Sequence, residues 1–407
     1  MKILQINNYH YVRGGADRVY LNTGKLLEDH NHEVLYFSSL NDENIETVYS
    51  EFFVPLSDKR NANFREKVIG TKDYLYNNSA YHNLNKLIEI HQPDIAHLHL
   101  YSAGLSTSIL RSLRKHHIPI VQTVHDYRLL CPANSFLDSR NNICEKCKNK
   151  TYLQCALNKC SDGNFLYSSV AAMEAYTRKY FINPLDYIKQ FIFVSNFAQN
   201  KHIEFDKRFE HKSSQMFNFT QLPEQYSKLN KERYFLYFGR LSREKGIQTL
   251  LRAAKDANIK LKIAGRGPMQ NDVAEYAQQD INVELLGHQS GNKLKKLIDE
   301  AFFIVVPSEW YENNPMTVIE AYALGKPVIG ARIGGITEIV VESKTGYLFE
   351  SRNSMDLTGV LKKAKDMTDK EYTQMSSEAR KFAEINFSPE RHYEKLMNIY
   401  TQCLKNA

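Results

Sequence analysis

The stretch ENNPMTVIEAYALGKPVIG, residues 312–330, carries two carboxylates, Glu312 and Glu320, with seven residues between them. Glu320 lies within an otherwise apolar helical pattern, which predicts that this carboxylate is buried. A buried carboxylate without a partner is strongly unfavourable. Two hydroxyl groups of a bound ribose would satisfy its oxygens, whereas the alternative is a pairing of Glu320 with an internal arginine or lysine.

The same stretch has the signals of a helix whose start could bind an anion. Asn314 can cap the helix, Pro315 suits its first position, and Gly325 suits the left-handed residue that ends it. The first amides of a helix have no partners within it, so those at Met316 and Thr317 suit a phosphate group. Together these residues predict a nucleotide-binding helix start.

A second motif, GRLSREKG over residues 239–246, follows a predicted strand. Arg240 offers a rigid fork of hydrogen-bond donors and Lys245 a point charge, and both suit a diphosphate. The alternative is a charged surface turn. The motif alone therefore favours neither anion binding nor a plain turn.

A third motif, NNYHYVRGGADRVYLN over residues 7–22, follows the first predicted strand and leads into a helix. Gly14 and Gly15 allow a tight turn and a close approach of the backbone to a ligand. The motif is not a G-x-G-x-x-G fingerprint, so it does not imply a dinucleotide. A simple glycine turn is the alternative.

Five of the six cysteines lie between residues 131 and 160. Their spacing includes C-x2-C-x7-C-x4-C, which predicts a structural four-cysteine zinc site in an inserted loop. Scattered reduced thiols are the alternative. The predicted zinc ligands are Cys144, Cys147, Cys155 and Cys160.

The 407 residues are 43% apolar and 24% charged, which is ordinary for a soluble globular protein. The first residues are too polar for a secretory signal, and no apolar run is long enough to span a bilayer, so we expect a cytoplasmic protein. The net charge is +7. The basic segment 57–78 predicts either a plain surface helix or peripheral contact with an anionic membrane at its inner face. The basic residues form no long stripe with interleaved aromatics, which argues against nucleic acid as a partner.

Short apolar runs typical of buried parallel strands alternate with helical patterns along the chain. This alternation predicts an α/β protein with two Rossmann-like doubly wound domains that face one cleft. We expect these domains at 1–218 and 219–385, with a cysteine-rich insert at 131–160, a polar linker at 220–233, and a C-terminal helix over 386–407 that packs back on the first domain. The predicted strands are residues 2–7, 32–39, 94–100, 118–125, 190–195, 234–239, 260–265, 283–287, 302–307 and 326–331.

Three of these motifs, taken in order, resemble those of the family 4 glycosyltransferases. They are RGGADRV at the start, GRLSREKG after the linker, and the E-x7-E pair followed by AYALGKPVIGARIGGITEIV. The resemblance covers nearly the whole chain. It implies the GT-B fold and retaining transfer of a sugar from a nucleotide-sugar donor, with no metal or other cofactor needed for catalysis.

The resemblance also implies roles for individual residues on the C-terminal side. Arg240 and Lys245 match the residues that neutralise the donor diphosphate. Glu320 matches the carboxylate that binds the donor ribose, and Glu312 matches the one that contacts hydroxyls of the donor sugar. Where the family usually has a glycine-rich loop after the first glutamate, this chain has asparagines at 313 and 314, so the contacts to the sugar are expected to differ.

On the N-terminal, acceptor side, Gly14 and Gly15 match the loop where donor phosphate and acceptor meet. His125, in TVHDY, matches the histidine beside the donor sugar, although a hydrogen-bonded histidine at a strand end is the alternative. The catalytic set expected from the resemblance is His125, Glu312, Arg240 and Lys245.

The function expected is that of a hexosyltransferase-type enzyme. It would move a sugar from a UDP- or GDP-sugar to a glycan or lipid-linked acceptor in bacterial capsule or cell-envelope polysaccharide synthesis. Two alternatives are a sugar-nucleotide epimerase of the same architecture and a zinc-bearing protein that binds nucleic acid. The epimerase would need acid and base carboxylates for elimination and no acceptor.

Overall fold

The structure is a computed structural model in which most of the chain is described. Residues 57–63 of the basic segment and 227–231 of the predicted linker lie outside the described part. Within that part, no helix combines the length and the apolar character needed to cross a membrane. The described residues are 1–55, 64–102, 104–149, 151–226 and 232–405.

The chain forms two compact units. The first comprises Met1–Met216 and Tyr393–Ala407, and the second comprises Phe217–His392. Each contains one six-stranded sheet in which all paired strands are parallel. The predicted α/β class with two Rossmann-like doubly wound domains is therefore confirmed.

The sheet of the first unit has the order β2-β1-β5-β6-β7-β8, and β3 pairs with β4 apart from it. The strands are β1 (Lys2–Ile6), β2 (Glu33–Phe37), β3 (Ser39–Leu40), β4 (Val54–Pro55), β5 (Ile95–Leu98), β6 (Ile120–Val124), β7 (Gln190–Phe193) and β8 (Ser213–Gln215). Its α-helices are α1 (Gly15–Asp29), α2 (Phe64–Leu75), α3 (Asn78–His91), α4 (Ser108–Lys115), α5 (Leu153–Leu157), α6 (Phe165–Tyr180), α7 (Pro184–Tyr187) and α8 (Asn196–Phe205), and 3-10 helices span Val48–Phe52 and Lys207–Lys212. Since β1 lies between β2 and β5, the strand order reverses between β1 and β5, and ligands bind beyond the carboxyl ends of strands at such a point.

The sheet of the second unit has the order β11-β10-β9-β12-β13-β14. The strands are β9 (Phe235–Phe238), β10 (Leu261–Ala264), β11 (Val283–Gly287), β12 (Phe303–Val306), β13 (Val328–Ala331) and β14 (Gly346–Phe349). The α-helices are α9 (Ile247–Ala257), α10 (Gln270–Gln279), α11 (Gly291–Glu300), α12 (Met316–Ala323), α13 (Ile336–Ile339), α14 (Ser354–Lys365) and α15 (Asp369–Asn386), followed by α16 (Pro389–Lys405), and a 3-10 helix spans Arg243–Lys245. The strand order reverses between β9 and β12, which makes this edge the second expected ligand site.

The strands of both sheets are rich in buried apolar side chains. Every residue of β5, β6, β12 and β13 is buried, as expected for parallel strands covered on both faces. Side chains point to both faces of each strand, and both faces are covered. The residues that follow the carboxyl end of each strand are therefore the first that can reach solvent. The predicted motifs at 7–22, 239–246 and 312–330 all begin in such loops.

The final helix, α16, belongs mainly to the core of the first unit. Leu396 and Tyr400 are fully buried and share one apolar cluster with Ile3, Ile95 and Val121. These strand residues lie on one face of the sheet, and the helix covers that face with side chains three to four positions apart. The first unit thus contains both ends of the chain.

We expect Leu396→Ala to lower the free energy of unfolding of the first unit by about 2–5 kcal/mol, because it leaves a cavity in a closed core. Urea unfolding followed by circular dichroism measures this change. Gln402→Ala, on the exposed side of the same helix, is the matched control and should stay within about 0.5 kcal/mol of the wild type. Equal stabilities for the two variants would contradict the described packing of α16.

Candidate functional site

In the second unit, an ion pair joins the loops that follow β9 and β12. The Lys245 ammonium lies 2.6 Å from Glu312 Oε1, and the Ser308 hydroxyl donates to the same oxygen at 2.6 Å. The ammonium also lies 4.9 Å from the centre of the Trp310 ring, within the range of a cation–π interaction. The pair therefore lies at the switch point of the second sheet.

The surroundings of Glu312 keep it charged. Burial acts to raise its pKa, but the Lys245 ammonium and the hydrogen bond from Ser308 outweigh burial and hold the pKa below its usual value. Since this pKa is lowered by folding, the stabilising contribution is present above the ordinary glutamate pKa and is lost as the pH falls through the lowered one. At neutral pH the carboxylate is ionised and retains its cation.

Two glycines let these loops approach closely. Gly246 has a φ of +71°, and a Cβ there would lie 1.8 Å from the carbonyl oxygen of Pro307. Gly334 has a φ of +57°, and a Cβ there would lie 2.4 Å from the backbone oxygen of Glu312, which also accepts a hydrogen bond from the Gly335 amide at 2.7 Å. Only glycine combines this conformation with this proximity, so both positions hold the ion pair in place.

Arg240 lies in the same loop as Lys245, on its exposed side. The Tyr237 hydroxyl donates to the Arg240 carbonyl oxygen at 2.7 Å and anchors the backbone at this point. The loop therefore presents the exposed guanidinium groups of Arg240 and Arg243 and the half-buried ammonium of Lys245. This combination suits an anion that arrives from solvent.

Helix α12 begins at Met316, with Pro315 at its cap position and no capping side chain. The prediction that Asn314 caps the helix was wrong. Its side-chain oxygen instead accepts a hydrogen bond from the backbone amide of Asn218 at 2.8 Å. Among the described residues, no side chain caps the start of the helix, which suits an anion site at Met316 and Thr317.

Glu320 is partly exposed, and the prediction that it is buried was wrong. Thr317, three residues earlier on the same helical face, is also partly exposed, whereas Val318 and Ile319 are buried. The helix therefore has one face open to solvent, and Glu320 lies on it. Gly325 follows the helix with a φ of +64°, as predicted.

In the first unit, Asp17 organises the loop between β1 and α1. Its carboxylate accepts hydrogen bonds from Asn7 Nδ2 and from the Gly14 amide, both at 2.9 Å. Burial raises the pKa of Asp17, and these two hydrogen bonds oppose the rise. This carboxylate thus fixes the loop to the start of the helix.

Gly14, at the end of this loop, and Gly15, the first residue of α1, are both exposed. Gly14 is extended, with a φ of −158°, so its conformation does not demand glycine and is not the tight turn expected there. The nearest heavy atom that a Cβ at Gly14 would meet is Asp17 Oδ2, at 3.9 Å. Because packing within this unit leaves space beside the glycine, the open surface is available to a ligand.

His125 follows β6 and belongs to a row of polar side chains. Its Nε2 lies 2.9 Å from His99 Nδ1, and the two rings stack with an interplanar angle of 14°. His99 Nε2 in turn lies 3.1 Å from Gln5 Oε1. Although His125 remains partly accessible, the desolvation caused by its packed surroundings lowers its pKa to about 3, so the ring is neutral at neutral pH.

The cysteine-rich segment contains free thiols throughout. Within the described ranges, no group of three or more His, Cys, Asp or Glu side chains is arranged to hold a metal ion. Burial among apolar groups raises the pKa of the Cys147 thiol to about 12, and a hydrogen bond between the Cys155 and Cys160 thiols raises that of Cys155. Because no such group is arranged to hold a metal ion within the described ranges, the structure does not support the predicted zinc site at Cys144, Cys147, Cys155 and Cys160.

Sequence reasoning missed several residues that shape these sites. Ser308 follows β12 and bonds to Glu312, Gly334 packs on the backbone of Glu312, and His99 contacts His125. The spacing of His99 behind β5 is a signal that could have been used, because a polar residue just past a buried strand reaches the ligand edge of the sheet. The contact of Gly334 depends on tertiary structure and has no local signal.

Both halves of the chain match sequence models of glycosyltransferase domains. Residues 13–208 match Glycosyltransferase Family 4, and residues 218–382 match Glycosyl transferases group 1. An uncharacterized 42.6 kDa protein in the cps region of Klebsiella pneumoniae is 26% identical over 88% of this chain and 92% of its own length. The capsular polysaccharide biosynthesis glycosyltransferase CapM of Staphylococcus aureus is 28% identical over 53% of this chain and 57% of its own length.

Solved structures share the whole fold. The crystal structure of Anabaena HepE in complex with UDP-glucose superposes with a TM-score of 0.67 at 16% identity, over 99% of this chain and 100% of that chain.

This chain spans 40% to 48% of the length of the first three curated relatives that it matches. Together the matches support a GT-B glycosyltransferase of the family 4 type.

We expect Gly246→Ala to destabilise the second unit by at least about 1–2 kcal/mol, the cost of a left-handed non-glycine residue, since its methyl group also meets the Pro307 carbonyl. Gly359→Ala is the matched control, because Gly359 lies in α14 with open space around it and should stabilise the helix by about 0.5–1 kcal/mol. Thermal unfolding of both variants checks the contrast. A harmless Gly246→Ala would refute the close approach of the two loops.

Proposed function

We propose that this chain, with its GT-B fold and its two glycosyltransferase-type domains, transfers a sugar from a nucleotide-diphosphate sugar to a glycan or lipid-linked acceptor. The observation that carries the proposal is the Lys245–Glu312 pair at the switch point of the second sheet, with the exposed Arg240 in the same loop as Lys245. A nucleotide diphosphate suits this combination. Its phosphates suit two cations and a helix start, and its ribose suits a partly exposed carboxylate.

The diphosphate is held by Arg240, Lys245 and the first amides of α12. An ammonium has three hydrogen-bond donors, and the Lys245 ammonium directs one of them to Glu312, so others remain for phosphate oxygens. As the anomeric carbon–oxygen bond breaks, negative charge builds on the leaving diphosphate. Cations already held in position stabilise that charge most strongly in the transition state.

Two carboxylates bind other parts of the donor. Glu320 accepts hydrogen bonds from the ribose hydroxyls, a role supported by its partial exposure on the same helical face as Thr317. Glu312, kept ionised by Lys245, accepts hydrogen bonds from hydroxyls of the donor sugar. The buried asparagines that follow Glu312 replace the usual glycine-rich loop, so we expect the chain to select its sugar by different contacts.

The transfer retains the anomeric configuration and needs no metal ion. The acceptor attacks from the face that the diphosphate leaves, and the leaving phosphate takes the acceptor proton. The open surface at Gly14 and Gly15 supports a place for the phosphate and the acceptor. Neutral His125 contributes a hydrogen bond to the donor sugar rather than a charge.

The donor base is uridine in this proposal, with guanosine as the alternative. The presence of UDP-glucose in the HepE crystal supports this choice. The relatives from capsule synthesis and a cps region support a role in cell-envelope polysaccharide synthesis, in the cytoplasm. Nothing in the described residues favours an epimerase or a zinc-bearing nucleic-acid-binding protein.

The enzyme makes peripheral contact with an anionic membrane in this proposal. A set of exposed side chains on and beside α5 and α6, here called the apolar face, supports it. Lys179 lies 4.6 Å from the Tyr180 ring centre, and Glu174 is buried in an ion pair with Arg178, so the charge left at the surface of α6 is positive. Aromatic and aliphatic groups edged by lysine suit the lipid interface. The apolar face consists of Leu153, Leu157, Phe165, Leu166, Tyr167, Met173, Tyr180 and Phe181.

We expect Arg240→Ala and Lys245→Ala each to lower turnover at least about ten-fold, because each removes a charge that stabilises the leaving diphosphate. Release of nucleotide diphosphate from UDP- and GDP-sugars, with and without glycan acceptors, measures turnover. Lys255→Ala, which removes an exposed lysine of the same unit, is the control and should leave turnover unchanged.

Two additional measurements separate loss of chemistry from loss of fold. The double variant Lys245→Ala, Glu312→Gln leaves no unpaired buried charge, so its melting temperature should stay nearer the wild type than that of Lys245→Ala. Thermal shift with UDP, GDP and ADP reports donor binding directly. Turnover near normal in both single variants, or stabilisation by a short oligonucleotide alone, would argue against the proposal.

For the membrane contact, we expect the wild type to sediment with vesicles that contain phosphatidylglycerol and to sediment less with pure phosphatidylcholine. Leu166→Ser with Phe181→Ser should reduce sedimentation several-fold, because both exposed apolar anchors are lost. Met355→Ser, which removes an exposed methionine from the second unit, is the control. No sedimentation of the wild type, or a dimer in solution that the double variant abolishes, would overturn the proposed membrane contact.

A further inference from the structure

One face of the first sheet changes from apolar to polar towards its carboxyl edge. On β5 and β6 the changes follow the two-residue period of a strand, from Ile95 to His97 and from Val121 to Thr123. Helix α16 covers this face and adds Tyr400. The polar row consists of Gln5, His97, His99, Thr123, His125 and Tyr400.

The hydrogen bonds of this row have a definite direction at the His125 end. The carbonyl oxygen of Gln5 can only accept, so His99 Nε2, at 3.1 Å, carries the hydrogen. A neutral imidazole has one N–H, so His99 Nδ1 must accept. It does so from His125 Nε2, at 2.9 Å, which therefore carries the hydrogen of that ring.

The row continues at its other end through Gln5. Gln5 Nε2 donates to the Tyr400 hydroxyl at 3.5 Å, and that hydroxyl lies 2.7 Å from His97 Nδ1. His97 Nε2 lies 2.7 Å from the Thr123 hydroxyl. The Tyr400 hydroxyl thus fixes which end of the Gln5 amide faces His99, and so the direction of the hydrogen bonds from Gln5 to His125.

We propose that Gln5, His99 and Tyr400 are positioning residues that hold His125 in one neutral tautomer, with its hydrogen on Nε2 and its lone pair on Nδ1. The inference rests on the proposed function, in which His125 lies beside the donor sugar. It deepens that function, because it makes His125 a hydrogen-bond acceptor at Nδ1 and not an acid. It also gives α16, at the far end of the chain, a part in the chemistry.

Burial keeps two titratable members of the row, His125 and Tyr400, neutral at neutral pH. Desolvation lowers the pKa of His125 to about 3, so protonation does not compete above pH 4–5. Burial raises the pKa of the Tyr400 hydroxyl, so the hydroxyl retains its hydrogen as the row requires. The charge state and the direction of the hydrogen bonds therefore agree.

Gln5→Glu tests the proposal, because it keeps the shape of the side chain but leaves only acceptors. The new carboxylate raises the pKa of His99 and favours its doubly protonated ring, whose Nδ1–H then donates to His125. His125 must accept at Nε2 and moves its hydrogen to Nδ1. The substitution is therefore expected to invert the tautomer of His125.

Nitrogen-15 resonances of the full-length protein labelled at histidine distinguish protonated from bare ring nitrogens, and the loss of signals in His125→Gln assigns them. We expect Nε2–H for His125 in the wild type and Nδ1–H in Gln5→Glu. Gln122→Glu puts the same charge on the opposite face of the sheet and should leave the wild-type tautomer unchanged. Nδ1–H in the wild type, or one tautomer in both proteins, would overturn the inference.

If Gln5→Glu does not fold, Tyr400→Phe is the second variant. It removes the hydroxyl that orients the Gln5 amide, so His125 should populate both tautomers, and a single unchanged tautomer would count against the proposal. Sugar transfer by Gln5→Glu should fall about ten-fold or more. Because the spectra need no donor, a wild type with the expected tautomer but no transfer activity would refute the proposed function alone.

Discussion

The reversal of strand order beside the first strand of each sheet is the constraint on which the candidate sites depend. All carboxyl ends of a parallel sheet lie at one edge, and the chain leaves the first strand in one direction and later returns to the other side of it. The connections from the two strands at the reversal therefore run to opposite sides of the sheet. No connection crosses the space between the two loops that follow these strands. In each unit these loops hold the charged and polar residues, including Lys245 and Glu312 in one and His99 in the other.

The two units fill the space at this reversal in different ways. In the second, two loops meet so closely that glycine is needed at 246 and 334, and an ion pair fills the contact. In the first, a row of hydrogen-bonded polar groups takes the corresponding place, and Asp17 ties the neighbouring loop to its helix. One unit thus presents charge to a ligand and the other presents oriented neutral dipoles.

Much of the fold could be predicted from the sequence, because short continuous apolar runs such as β6 and β12 are typical of parallel strands covered on both faces. Arg240 and Lys245 could be assigned to one loop because residue spacing determines loop membership. The role of Asn314 was predicted wrongly, because its side chain accepts a hydrogen bond from the backbone amide of Asn218, which is far away in sequence. The exposure of Glu320 depends on which helical face the sheet covers, and the zinc prediction failed because spacing alone does not say where thiols point.

The contribution of α16 to the core of the first unit has a consequence for folding during synthesis. Leu396 and Tyr400 pack beside Ile3, so nearly the whole chain separates residues that are neighbours in one core. During synthesis, the first unit emerges from the ribosome early, yet it cannot close its sheet face until the last helix has been made. Until then that face of the first sheet stays uncovered, whereas the second unit, whose residues are contiguous, can complete its fold first.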